Sequence, residues 1–399
     1  MHYIRLLRPA KFDASERRRP IISLLITITT DLGDSFLSPS DHIDLTVSAD
    51  DPAGQSVILW IAQPFRWVAG MRVLDIKVPV TPHLKKDDVT CTIRIQPAAQ
   101  SLGLIKSSDV LPWSLAGGSP ESRGLIMPAT VEMANGVCSP VSLRTFQLDT
   151  GSQPSDRLSL HLEEDIGESI ARHIWDAGIV TASFIADACS TKDDIRYVLP
   201  IDDDKFSVLE LGSGVGILGI TLARIVEMAA AIQGQKLTEA TVMLTDLPEA
   251  EERARSNILR LETVLSQKST KDPVTKLQYE NLDWDEGKHG RFGPLVSARP
   301  WNLVVLSDCT YNVDSLPALV GTLNALEKAK LEHKENRDHI PFSVILATKP
   351  RHSSEQELFG LLKANRWRYT TLKSIPLLKL EGENEVVDIY QLEKGRGTT

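Results

Sequence analysis

Hydrophobic residues are grouped in short runs in the first part of the chain. Between about residues 21 and 146 the runs are separated by Pro, Gly, Ser and Asp, and they cover residues 21–30, 57–62, 73–80 and 92–95. Short runs with such breakers are typical of β-strands. We therefore predict a β-rich region, either a small sheet or a barrel, in this part of the chain.

A loop-rich stretch follows these runs. Residues 101–140 are rich in Gly, Pro and Ser and show little periodicity, so we expect a long loop inside or after the sheet. The sequence GSQPS at residues 151–155 predicts a linker. The expected organisation is an accessory β-rich region over residues 1–150 and a second domain over residues 156–396.

The second part of the chain alternates between strand and helix patterns. Buried strands are predicted at residues 208–211, 241–245, 303–306, 343–348 and 386–392, and helices at residues 217–232, 249–265, 316–331 and 355–365. The helix over 249–265 is expected to place its arginines on its exposed face. This alternation predicts an α/β fold with a doubly wound parallel sheet.

A glycine-rich turn joins the first strand and helix of this part. Residues 208–219 read VLELGSGVGILG, so that Gly212, Gly214 and Gly216 follow a buried strand. Glycines let a backbone approach a ligand closely, and the helix that follows offers unpaired N–H groups. Residues 214–219 also match the dinucleotide pattern G-x-G-x-x-G. A nicotinamide- or flavin-dependent oxidoreductase is therefore one alternative.

Two acidic residues lie at neighbouring strand ends. Glu210 would repel a pyrophosphate, but it can attract the cationic amino acid end of S-adenosylmethionine. Asp246, in the sequence TDLP, is placed to accept hydrogen bonds from ribose hydroxyls in either type of cofactor. The alternatives are a solvent-facing Glu210 and an Asp246 that caps a helix beginning near Pro248.

Four motifs resemble those of a known family. They are IWDAGIV at 174–180, LELGSGVG at 209–216, TDL at 245–247 and the Asp-x-x-Tyr sequence DCTY at 308–311. With them, residues 158–392 resemble the class I, seven-β-strand, Rossmann-like methyltransferases that use S-adenosylmethionine. Within that class, the chain is similar to the protein-lysine methyltransferases of methyltransferase family 16. The resemblance does not extend to the first 150 residues.

The resemblance implies further roles. Trp175 would line the cofactor cleft, and Trp284 would lie against the adenine. Asp308 would contribute to the cofactor site and, with Tyr311, to catalysis: Asp308 could align the substrate amine, and Tyr311 could pack against the lysine stem. The later sequence KPRH at 349–352 follows the predicted strand at 343–348 and could lie at the rim of the substrate cleft. It is interpreted as a surface cluster rather than a catalytic one.

Composition narrows the range of partners. The net charge is −9 and the isoelectric point is about 5.6, which disfavours nucleic acid and anionic lipid as partners. No apolar run is long enough to span a bilayer. The four cysteines lie far apart in the sequence without zinc-ligand spacing, so we expect neither a metal site nor a disulfide framework. Reduced thiols fit the cytoplasm, and also the nucleus.

The resulting functional hypothesis is methyl transfer from S-adenosyl-L-methionine to a protein lysine, with S-adenosyl-L-homocysteine as product. The resemblance implies substrates such as chaperones, translation factors or ribosomal proteins. Alternatives are a small-molecule or nucleic-acid methyltransferase, a nicotinamide-dependent oxidoreductase, and a non-catalytic cofactor-binding module.

Overall fold

The computed structural model describes most of the chain. The described residues are 1–13, 20–53, 64–80, 90–111, 113, 124–151, 157–167, 170–266, 274–332, 342–377 and 384–395. The predicted strand at 57–62 and the predicted linker, apart from its first residue, lie outside them. Within the described chain, no helix is both long and apolar enough to cross a bilayer.

The chain divides into two compact units. The first comprises Met1–Gln147, Ser159–His173 and Leu377–Glu385, and the second comprises Leu148–Leu158, Ile174–Pro376 and Val386–Thr399. The first unit thus includes residues 159–173 and 377–385, which the sequence analysis assigned to the second domain. Residues 159–173 belong to the first unit because the strand Arg157–Asp165 is hydrogen-bonded to the sheet of that unit.

The first unit is built on an eleven-stranded sheet. Its strands are β1 (His2–Leu6), β2 (Lys11–Asp13), β3 (Ile21–Thr29), β4 (His42–Asp50), β5 (Phe65–Val68), β6 (Leu74–Pro79), β7 (Cys91–Pro97), β8 (Ile126–Met127), β9 (Ala129–Ala134), β10 (Val137–Asp149) and β11 (Arg157–Asp165). Their order is β5-β4-β7-β9-β10-β2-β3-β1-β8, with β11 beside β10 and β6 beside β3. Alternate residues such as Ile26 and Ile28 form a core with Trp67. The β-rich prediction is confirmed.

The long loop predicted over residues 101–140 is wrong in its second half. Residues 126–140 form β8, β9 and the start of β10. Asn135 and Gly136 connect β9 to β10 with φ values of 52° and 69°. Asn-Gly is a strong hairpin signal because both residues tolerate positive φ. The prediction failed here because it relied on the Gly, Pro and Ser content of residues 101–140 and not on the Asn135-Gly136 pair.

The second unit is a seven-stranded α/β sheet. Its elements are α1 (Asp176–Ala188), α2 (Lys192–Val198), β12 (Lys205–Leu211), α3 (Ile217–Gln233), β13 (Glu239–Asp246), α4 (Pro248–Ser266), β14 (Thr275–Asn281), α5 (Trp284–Gly287), α6 (Pro294–Ser297), β15 (Leu303–Ser307), α7 (Leu316–Glu332), β16 (Ser343–Thr348), α8 (Glu357–Ala364), β17 (Trp367–Leu377) and β18 (Glu385–Lys394). The order is β14-β13-β12-β15-β16-β18-β17. The first five strands of this order are parallel, and β18 is antiparallel to β16.

This sheet confirms the predicted doubly wound fold and adds one antiparallel strand. Leu209 and Leu211 pack in a core with Leu319 and Leu323 of α7, while α3 contacts β12 and β13. Strand order reverses at β12, where open α/β sheets bind ligands beyond the carboxyl ends of their strands. One detail of the prediction was wrong: Arg253 of α4 is buried rather than exposed.

Candidate active site

The turn between β12 and α3 is a cradle that requires glycine. Gly212, Gly214 and Gly216 have φ values of 67°, 53° and 87°. A Cβ atom added to Gly212 would lie 2.5 Å from Sγ of Cys309, and one added to Gly216 would lie 2.5 Å from Cδ2 of Leu244. Both the backbone conformation and the packing therefore exclude larger residues.

Glu210 lies buried beneath this turn. Its Oε2 accepts a hydrogen bond of 2.9 Å from the N–H of Gly219, and a Cβ on Gly219 would lie 2.5 Å from the same oxygen. Burial raises the pKa of Glu210 to about 8, although the Gly219 N–H opposes this shift. The alternative of a solvent-facing Glu210 is wrong, because the side chain is 1% exposed.

The raised pKa of Glu210 predicts a pH-dependent stability. Its contribution is fully present below its ordinary pKa of 4.5 and is lost as the pH rises through about 8. Glu210→Gln retains an acceptor oxygen and cannot ionise. We compare the free energy of unfolding of the wild type with that of Glu210→Gln. As the pH rises from below 4.5 to above about 8, the wild type should lose about 1 kcal/mol or more relative to the variant. Urea unfolding without cofactor at several pH values tests this, and parallel pH profiles would contradict it.

Asp246, at the end of β13, connects that strand to the glycine turn. Its Oδ2 accepts a bond of 2.7 Å from the N–H of Gly214, and its Oδ1 accepts one of 2.7 Å from the N–H of Leu247. Burial raises the pKa of Asp246, while these two donors lower it. Because α4 begins at Pro248, Leu247 rather than Asp246 precedes its first residue. The helix-cap alternative for Asp246 is therefore wrong.

Asp308 follows β15 and is tethered on two sides. Its Oδ2 accepts a hydrogen bond of 2.8 Å from the N–H of Ala177 in α1, and its Oδ1 accepts one of 3.3 Å from the N–H of Lys349. A guanidinium nitrogen of Arg351 lies 3.3 Å from the same Oδ1. The φ of Asp308 is 52°, a conformation that non-glycine residues rarely adopt and that often occurs at functional sites.

Aromatic side chains flank these loops. The rings of Trp175 and Tyr311 are parallel, with centroids 6.0 Å apart and an interplanar angle of 4°. Tyr311 is half exposed, and desolvation raises its pKa, with smaller contributions from Cys309 and Asp246. Trp284 begins α5, and its Cζ2 is 3.4 Å from the position of a Cβ on Gly212.

The predicted site residues all lie at this edge of the sheet. They lie at the ends of β12 and β13, in the turns after β12 and β15, or at the starts of α1 and α5, and they are Trp175, Glu210, Gly212, Gly214, Gly216, Asp246, Trp284, Asp308 and Tyr311. Within the described part of the chain, no group of three or more His, Cys, Asp or Glu residues is arranged to hold a metal ion.

Sequence reasoning noted the residues after β16 but assigned them no role in the site. Lys349 is 3% exposed, and its Nζ lies 2.7 Å from Oδ2 of the fully buried Asp176. The guanidinium of Arg351 lies over the Trp175 ring, 5.1 Å from its centroid. The surface-cluster interpretation of residues 349–352 is therefore wrong for both basic residues. Their position just beyond a buried parallel strand was the available signal.

Glu355 forms hydrogen bonds with both the loop after β16 and the loop after β15. Its Oε1 accepts bonds from the N–H groups of Arg351 (2.9 Å) and His352 (3.1 Å), and its Oε2 accepts one of 2.6 Å from Oγ1 of Thr310. Because Glu355 is itself buried, these bonds hold the two loops in a fixed relation.

Comparisons with known proteins give a family. Residues 154–365 match the family model described as lysine methyltransferase. Over 343 residues, 85% of this chain and 90% of the other, the chain is 27% identical to a UPF0665 family protein of Schizosaccharomyces pombe. Over 216 residues, 52% of this chain and 75% of the other, it is 27% identical to the protein-lysine N-methyltransferase EFM6 of Saccharomyces cerevisiae. The crystal structure of P. horikoshii TYW2 in complex with MeSAdo is 12% identical, with 66% of this chain and 75% of that chain covered and a TM-score of 0.32.

Proposed function

The chain belongs to the lysine methyltransferase family and is an S-adenosylmethionine-dependent methyltransferase, and we propose that it methylates the side-chain amine of a lysine in a protein. The observation that supports this acceptor best is the hydrogen bond that holds Asp308 at the start of α1, directly after Trp175, whose ring is parallel to that of Tyr311. The similarity to the protein-lysine N-methyltransferase EFM6 of Saccharomyces cerevisiae supports the same class of substrate.

The residues at the glycine turn fit the cofactor. A Cβ on Gly212 would lie 2.5 Å from Sγ of Cys309 and 3.4 Å from Cζ2 of Trp284, so only glycine lets the turn approach both residues this closely. Ser213 Oγ is buried and has no hydrogen-bond partner among the described residues. In this proposal, Gly212, Gly214, Gly216 and Ser213 face the amino acid end, together with Glu210 beneath them. Asp246 then accepts from ribose hydroxyls, while Trp284 and Trp175 line the cleft.

The acceptor chemistry depends on position and protonation. When bound, S-adenosylmethionine supplies a methyl group activated by its sulfonium. A lysine amine has a reference pKa of about 10.4 and must reach that group unprotonated and in line. The rings of Trp175 and Tyr311 offer an apolar face to the lysine stem, and desolvation there favours the neutral amine. Asp308 orients the amine by accepting a hydrogen bond from it.

Transfer of a labelled methyl group in a cell extract tests the proposal. We expect the wild-type protein to label a discrete protein band, with the label recovered as methyl-lysine. Asp308→Asn should lose labelling but bind S-adenosylhomocysteine in calorimetry, whereas Asp246→Ala should lose both. The exposed Asp314, six residues after Asp308, provides a matched control in Asp314→Asn. Label recovered on nucleic acid or small molecules instead would overturn the protein-lysine assignment.

A further inference from the structure

A permanently charged residue adjoins the proposed acceptor position. Arg351 is mostly buried, with 15% of its side chain exposed. Its guanidinium lies over the Trp175 ring and 3.3 Å from Oδ1 of Asp308. The backbone of Arg351 is fixed by Glu355. Arginine stays protonated at all accessible pH values, so the acceptor amine enters beside a positive charge that cannot be discharged.

Asp308 is poorly suited to remove a proton from that amine. Its carboxylate already accepts from the N–H groups of Ala177 and Lys349, and it is paired with Arg351. Each of these donors stabilises the charged form of a carboxylate. Asp308 therefore offers the amine an oriented hydrogen-bond acceptor.

The charged groups around Arg351 include one further cation, Lys349, and three carboxylates, Asp176, Asp308 and Glu355. Asp176 and Lys349 form their own buried ion pair. Arg351 offsets Asp308, and Glu355 accepts backbone N–H groups on the far side of the loop. Tyr311, with its raised pKa, is neutral at physiological pH. A lone Asp308 carboxylate would hold an incoming lysine as ammonium, which has no lone pair for transfer. The Arg351 guanidinium removes that bias.

We propose that Arg351 is a positioning residue that makes the acceptor site favour the neutral lysine amine over the ammonium. The inference rests on the proposed function and identifies how its substrate is deprotonated. As the lysine enters, its ammonium gives one proton to water, and no side chain acts as a base. Arg351 acts by compensating Asp308 and by like-charge repulsion of the ammonium.

A pH profile of the transfer step tests this role. The acceptor is the protein purified from the labelled band, and single-turnover rates at saturating acceptor are measured from pH 6 to 9.5, because these report on the bound complex. Arg351→Met retains the stem over Trp175 and removes the charge. A charge within 4–6 Å shifts a pKa by about one unit or more. In Arg351→Met, the midpoint of the pH profile of the single-turnover rate should therefore rise by about one pH unit. The rate at pH 7 should fall about tenfold, and the difference from the wild type should shrink at high pH.

Three further variants complete the test. Arg351→Lys should keep the wild-type midpoint, and Arg351→Gln should behave like Arg351→Met. Arg255→Met is the matched control, because Arg255 also lies over an aromatic ring, that of Tyr279 at 5.3 Å, and pairs with a carboxylate, that of Glu251. Binding of S-adenosylhomocysteine should stay within about threefold in all of them. Two results for Arg351→Met would overturn the inference. One is a fall in the single-turnover rate that is equal at every pH, and the other is a lower KM with no change in the midpoint of the pH profile. Absence of a labelled band would overturn the proposed function and this inference together.

Discussion

Gly212→Ala is expected to weaken S-adenosylhomocysteine binding by about a hundredfold. The left-handed φ of 67° costs an L-residue about 1–2 kcal/mol, and the added Cβ would lie 2.5 Å from Sγ of the buried Cys309. The turn must then move away from β15 and from Trp284, which also lies within contact distance. A hundredfold loss corresponds to about 2.8 kcal/mol, consistent with strain plus displacement. Isothermal calorimetry measures the effect directly.

Two controls separate strain from collision. Cys309→Ala removes the sulfur and leaves a Cβ 3.9 Å from the new methyl group. The double variant should therefore recover about tenfold in affinity, while Cys309→Ala alone should bind normally. Gly290→Ala provides strain without collision, because its φ is 72° and nothing lies within 4 Å of an added Cβ. It should lower stability slightly and leave binding unchanged. Wild-type binding by Gly212→Ala would show that the turn is not built as described.

The elements that sequence reasoning found are those whose signals are local. Helix α3 was predicted to within one residue because a glycine follows its buried strand and another ends it. Gly216 and Gly234 have φ values of 87° and 82° and flank the helix. Asp246 was located because a buried run stops at this acidic residue, and Glu210 because it lies one position before the end of a buried run that a glycine follows. Strand and helix ends of this kind depend on neighbours in the chain.

Strand β17 (Trp367–Leu377) was missed for the opposite reason. It lies at the end of the strand order, and most of its residues are exposed or partly exposed, so no hydrophobic run marks it. An edge strand is stabilised by pairing with its neighbour, here β18. Its polar residues are spaced as in a loop, and only pairing with β18 shows that the segment is a strand.

The site residues that were missed interact across long separations in sequence. Asp176 and Lys349 are 173 positions apart, and Arg351 reaches Trp175 over a similar separation. The acids that pair with the two basic side chains, Asp176 and Asp308, lie far from them in the sequence, and so the cluster was interpreted as solvated. Only the parallel placement of β15 and β16 brings the KPRH loop against α1. Charge compensation at the acceptor site could therefore be recognised from the structure alone.

The largest stability effect is expected from Lys349→Met. The pair formed by Lys349 and Asp176 is almost completely buried, and its two atoms are 2.7 Å apart. Removing one partner of a buried pair leaves an uncompensated charge and typically costs about 3–5 kcal/mol. The position of Asp176 in the first turn of α1 compensates only part of this, because a helix end contributes about 2 kcal/mol at most. We expect a loss of about 3 kcal/mol in the free energy of unfolding, measured with urea.

A double variant tests whether the buried charge is the cause. Asp176→Leu combined with Lys349→Met replaces both ions by apolar groups, and such replacements are often neutral or stabilising. It should be more stable than either single variant. Lys328→Met is the matched surface control: Lys328 is 77% exposed and 3.8 Å from Glu332, so its loss should change stability by less than about 1 kcal/mol. If the double variant were no more stable than Lys349→Met, lost packing rather than the lost ion pair with Asp176 would explain the effect. The electrostatic account of the α1 terminus would then be wrong.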